Sequence, residues 1–241
     1  MTPLVLIAAG LVALVAGALV LRSFGPRYRV GRLLSTTPKV SVADAVALAA
    51  SGAARYVRVD GRIDSEQEFE DADHRPLVFR RTRLETRERT RWRAFEDARE
   101  AVPFELHEGL AAIAVDAAAL DAGLVVVPRE SAGVAADLAD RIPDGLRPDA
   151  EVRARIEQIS SVEHATVLGV PVAGDGSGPR LTAGLGRPLV LTTLEIPEAM
   201  RVLTGGQTTR PRAAAALLVA GLTLFVIGVG WSAVAAVGVG R

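Results

Sequence analysis

Two long stretches without a charged side chain, one near each end, constrain this chain more than any other feature. Residues 3–21 carry no charge. At about 1.5 Å per residue such a helix is roughly 28 Å long, close to the ~30 Å hydrocarbon core of a bilayer. Residues 213–239 are interrupted only by the hydroxyls of Thr223 and Ser232, and Trp231 suits a membrane interface. The expectation is a multi-pass membrane protein with transmembrane helices at 3–21 and 213–239.

The alternative for the first stretch is a cleaved signal peptide, since Ala16-Gly17-Ala18 imitates a small-x-small cleavage site. The charge order argues against it. A signal peptide carries its positive charge before the apolar run, whereas Arg22, Arg27, Arg29 and Arg32 all follow it. With Arg210 and Arg212 they put six arginines on the inner flanks of the two segments, against the terminal amine and Arg241 outside. The positive-inside rule then predicts a cytoplasmic central domain with both termini on the other side. Lys39 is the only lysine among many arginines, and alanine is abundant. That bias is typical of GC-rich prokaryotic genomes, so the expected location is a prokaryotic plasma membrane. Small residues at Ala9, Ala13 and Gly17, and at Gly228, Ser232, Ala236 and Gly240, offer faces on which two helices, or two copies of the chain, could pack closely.

Between the spans, residues 22–54 read as an arginine-rich juxtamembrane turn followed by a helix over 42–50, with Ser41 and Asp44 as a capping box and Gly52 as the stop. Residues 55–205 read as one soluble domain. Strand signals dominate it: Tyr56 to Ile63 with a bend or bulge at Gly61, Pro76 to Phe95, Val102 to Leu106, Ala111 to Val115, Leu124 to Val127, Val162 to Val172, Arg180 to Gly184 and Leu189 to Thr192. Residues 131–158 read as a helical excursion from the spacing of Val152, Ile156 and Ile159, residues 174–178 as a glycine-rich turn, and Glu195 to Leu203 as a closing helix. The fold class expected is α+β, a β-rich soluble domain with peripheral helices, flanked by two transmembrane helices.

Composition closes off several chemistries. The net charge is zero, with both signs interleaved, which is not the basic footprint of a nucleic-acid binder. The absence of cysteine excludes disulfides, thiolate nucleophiles and cysteine-ligated zinc or iron–sulfur centres. His74, His107 and His164 lie far apart in sequence with no nucleophile elbow or His-Glu-x-x-His beside them, so no catalytic residue is assigned. Glu70, Asp71, Asp73 and His74 gather oxygen and imidazole donors, but without the spacing and turn glycine of a calcium loop they read as an acidic hairpin loop. No metal or cofactor ligand is assigned. Arg80 to Glu100 holds eight arginines and five acids, which reads as a solvated pair of strands tied by cross-strand ion pairs.

Several of these segments resemble one family. Tyr56-Val57-Arg58-Val59-Asp60-Gly61, Trp92 ahead of Val102-Pro103-Phe104-Glu105-Leu106, the stretch Ala111 to Val127, Ser161 to Pro171, and Pro188 to Leu203 resemble the "beside a membrane" (BAM) domain of the GIDE family of membrane E3 ubiquitin ligases. In that family the domain lies between two transmembrane helices and contacts other membrane proteins. The family's ligases also carry a RING, which holds two zinc ions through eight cysteine and histidine ligands. No cysteine and three histidines cannot supply that set. The resemblance therefore implies a scaffold or interaction protein without RING chemistry, its partners other membrane proteins. The alternative is an enzyme or small-ligand binder whose pocket the sequence does not reveal.

Overall fold

The computed structural model describes residues 2–22, 26–89, 91–121, 123–143, 145–174, 178–205 and 209–239. They fall into two compact units, Met1–Arg29 with Thr204–Arg241, and Val30–Leu203. The centre of the glycine-rich turn, 175–177, lies outside the described residues.

The first unit is a pair of helices, α1 (Thr2–Arg22) and α5 (Thr209–Val239), packed on each other. Gly10 meets Phe225 and Gly221, while Gly17 meets Leu218, so the helices run antiparallel. A Cβ on Gly10 would lie 2.7 Å from the Phe225 nitrogen and 2.8 Å from the Gly221 oxygen. Only glycine permits that approach. The buried small residues Gly10, Gly17, Ala214, Gly221 and Gly228 recur every seventh position, whereas Ala9 is exposed. This replaces the four-residue spacing read at Ala9, Ala13 and Gly17, while Gly240 and the side chain of Ala236 lie outside the described residues. An i, i+4 row drifts around a helix, while a seven-residue repeat keeps one seam facing its partner. Among the described residues one helix, over Ala214–Ser232, is long and apolar enough to cross a membrane, with a mean hydropathy of 2.2; the apolar stretch Leu4–Val20 of α1 is shorter. The two hydroxyls in α5 turn back on their own helix, Thr223 Oγ1 donating to the Val219 oxygen and Ser232 Oγ to that of Gly228.

The second unit is mixed α+β around a small barrel. From Val30 on it includes α2 (Pro26–Thr36), a helix where a turn was expected, whose Val30, Leu33 and Leu34 are buried. The strand β1 (Lys39–Val40) and helix α3 (Val42–Ser51) follow. Ser41 caps α3 by accepting from the Asp44 amide, and Gly52 ends it with a left-handed φ of 68°. Next come β2 (Val57–Asp64), β3 (Phe69–Glu70), β4 (Pro76–Glu88), β5 (Arg91–Ala101), β6 (Phe104–Glu108) and β7 (Ala111–Val115). The rest is β8 (Leu124–Val125), β9 (Arg129–Val134), a 3-10 segment (Ala135–Arg141), β10 (Glu151–Ser160), β11 (His164–Val172), β12 (Arg180–Thr182), β13 (Val190–Thr192) and α4 (Ile196–Thr204).

Five strands close on themselves: β2 pairs β6, β6 pairs β7, β7 pairs β12, β12 pairs β11, and β11 returns to β2. Only β7 and β12 are parallel. Taken in chain order, the ring runs first, second, third, fifth, fourth, the connectivity of five-stranded Greek-key barrels of the OB type. Alternation fills it, since Val57, Val59 and Ile63, Phe104 and Leu106, Ile113 and Val115, Ala165 and Val167 all point inward and are buried. α3 adds Val42 and Ala45 to this core. A smaller core joins α2 and α4 to the outer side of β11 through Val30, Leu34, Tyr56, Leu168, Val170 and Ala199.

The connections β2-to-β6 and β7-to-β11 both leave the barrel and meet in a second sheet, ordered β3-β4-β10-β9 with β5 on β4. Of the helical excursion expected over 131–158, only the 3-10 segment Ala135–Arg141 is helical; β9 opens it and β10 replaces its end. Val152 and Ile156 are four apart, a spacing that fits a helix and a strand equally. The charges decide, because Glu151, Arg153, Arg155 and Glu157 alternate strictly with Val152, Ala154 and Ile156. Ile159 lies on the opposite face and joins the barrel core beside its partner Phe79.

Candidate functional site

The outward side of β2 carries Arg58, Asp60, Arg62 and Asp64, because its inward positions are taken by the core. The register sets neighbours beside them. Arg62 lies directly opposite His164 of β11 on one side and His107 of β6 on the other, and Asp64 lies opposite Glu105. Directly opposed residues share a face, so His164, Arg62 and His107 form one row across three strands. Read along the chain, the histidines are isolated; pairing brings two of them to one arginine, and nothing local in the sequence signals it.

This row lines a cleft of about 630 Å³ with Lys39, Asp60, Asp64, Glu108 and Gly109. Its floor is close-packed. A Cβ on Gly61 would lie 2.9 Å from the His107 oxygen, so this glycine serves a close strand approach, and the ladder passes it without the expected bulge. Most polar groups are engaged. Asp60 takes Lys39 Nζ at 3.0 Å and the Thr166 hydroxyl at 2.9 Å, and Glu108 Oε2 accepts the Val42 amide at the start of α3 at 2.8 Å. His107 Nε2 is 3.4 Å from Glu105 and 3.8 Å from Asp64. Arg62 and His164 have no side-chain partner among the described residues. The arrangement offers a guanidinium and an imidazole side by side, suited to binding an anionic group.

The second sheet holds the arginine-rich segment, and there most of the charges are paired. Arg81 is buried and gives two bonds to Asp97, at 2.8 and 2.6 Å; Arg83 reaches the same carboxylate. These bonds, Arg81's first, pull the Asp97 carboxyl down to about 2. Arg80 pairs with its cross-strand neighbour Glu100, Arg153 with Glu85 while stacking over Trp92, and Arg141 with Glu96. In the acidic loop, Asp71 accepts the Asp73 and Arg75 amides and both Nε and Nη2 of Arg75. Those bonds, the Arg75 amide first, hold its carboxyl at about 2. His74 instead meets Glu70 at 2.6 Å. Asp71 thus builds the loop, and no group of three or more metal-ligating side chains forms among the described residues.

Comparisons with protein-family models, curated proteins and solved structures return no match.

Proposed function

We propose that this chain is a membrane-anchored interaction module, with both α1 and α5 spanning the bilayer and the Val30–Leu203 domain presented on the cytoplasmic side to other membrane proteins. One observation carries the reading. α1 and α5 turn their glycines toward each other and leave Leu4, Val5, Leu11, Val12, Val15 and Leu19, with Val219, Leu222, Val226 and Ile227, exposed. Water does not tolerate an apolar surface of that extent on a monomer, and lipid does. α1 as a whole, at 21 residues, has the length of a span.

The order apolar helix, β-rich domain, apolar helix supports kinship with the GIDE family, and these residues supply no RING ligand set. Two anchors fix the domain's orientation and raise its effective concentration against partners in the same membrane. The long β4–β5 hairpin supplies the exposed surface, its edge strand β5 guarded by charges against indiscriminate pairing. In-membrane crosslinking followed by affinity capture of the full chain tests the proposal: specific membrane proteins linked through residues of the second sheet are the expected result. Recovery of lipids and abundant chaperones alone overturns it.

A second reading, a small-ligand binder, is favoured by the unpartnered Arg62 beside His164 in the cleft. A thermal-shift screen of anionic metabolites on the full chain tests it, with the response expected to vanish in Arg62→Gln. No shift with any compound rejects it.

A further inference from the structure

The charges of this chain are not spread evenly. All 28 acidic residues lie between Asp44 and Glu198, together with nineteen of the 28 basic ones. Outside that range there is no acid at all, and the segments that adjoin the apolar helices carry arginines alone. The zero net charge hides a strongly negative middle and positive flanks.

Helix α2 turns one of those flanks into a surface. Its apolar side is already used, with Val30 and Leu34 fully buried and Gly31 so close to Met200 that an added Cβ would lie 3.2 Å from the sulfur. Arg27, Arg29 and Arg32 are exposed, and among the described residues none of their guanidinium groups has an ion-pair or hydrogen-bond partner. This differs from the second sheet, where Arg80, Arg81, Arg83 and Arg153 are matched to carboxylates. α2 starts four residues after α1 ends, a reach of at most about 14 Å even for extended chain.

We infer that the arginine face of α2 binds the headgroup phosphates of anionic phospholipids. The inference rests on the reading of α1 as a span, since that is what brings the helix within reach of headgroups. Guanidinium groups suit phosphate oxygens, which accept two parallel N–H donors. Because the apolar side of α2 faces the domain, binding is electrostatic and does not require insertion of the helix. The negative middle of the chain is repelled by the same lipids, so an acidic leaflet holds α2 and keeps the rest of the domain off the surface.

The test uses the full chain in nanodiscs of phosphatidylcholine and of an equimolar phosphatidylcholine–phosphatidylglycerol mixture, with the lipids retained around the protein quantified by mass spectrometry. Phosphatidylglycerol is expected to be enriched, less so in high salt. Arg29→Gln with Arg32→Gln should lower that enrichment by about fivefold per charge removed, and the double Lys variant should retain it. Incorporation into both discs without enrichment, or with enrichment unchanged in the Gln variant, overturns the inference and leaves the span reading intact. Failure to incorporate into either disc overturns the span reading, and the inference with it.

Discussion

On β6 the side chains alternate between two environments. Phe104 and Leu106 are 2% and 0% exposed, while Glu105 faces solvent and His107 lines the open cleft. Phe104→Ala should therefore cost about 3–5 kcal/mol, and His107→Ala no more than about 0.5 kcal/mol, in urea denaturation of the detergent-solubilised chain. Equal losses would mean that His107 has a structural part its contacts with Glu105 and Asp64 do not reveal. Asp71 gives a pH test. Its carboxyl is lowered from 3.8 to about 2 in the fold, so the stabilisation is complete above about pH 4 and is lost as pH falls toward 2. The melting-temperature gap between the wild type and Asp71→Asn should be constant from neutral pH down to about 5 and close between pH 4 and 2. A gap independent of pH would remove the carboxylate from the account.

Among the elements, the helix pair depends on backbone contact. A Cβ on Gly221 would lie 2.9 Å from both the Gly10 oxygen and the Leu14 nitrogen, and these are main-chain atoms with little freedom to yield. Gly221→Val should separate α1 from α5 and lower stability by about 1–3 kcal/mol. The absence of cysteine makes this directly measurable, with spin labels on cysteines introduced at the exposed Leu4 and Val229. A broadened, longer distance distribution is expected in the Gly221→Val background; an unchanged one would show that the pair does not need the close approach. Elements with strong local signals agree with their sequences: α3 has its Ser41 cap and Gly52 stop, and β6 and β7 alternate cleanly. β10 differs from the expected helix because the even spacing of Val152 and Ile156 satisfies both periods, while Ile159, three residues on, completes a helical pattern although it serves the other face of the strand. α2 was missed because arginines on one face masked the buried row of Val30, Leu33 and Leu34.

For the whole molecule, orientation is the first question. With six arginines on the inner flanks, a phosphatase fused after Arg241 should be active and a fluorescent protein at the same place dark, placing the C-terminus outside the cytoplasm. A bright fluorescent fusion would reverse the topology. The sequence by itself determined where the chain is apolar, where strands alternate, and that these residues hold no cysteine, because those properties depend on composition and on short-range periodicity. The seam of the helix pair, the closure of β2, β6, β7, β12 and β11 into a barrel, and the meeting of His164, Arg62 and His107 were decided only by tertiary structure. His107 and His164 belong to strands separated by the whole β7-to-β10 excursion, and what unites them is the register of each with β2. Register is set by which apolar residues must share a core, a long-range condition that no local window of sequence contains.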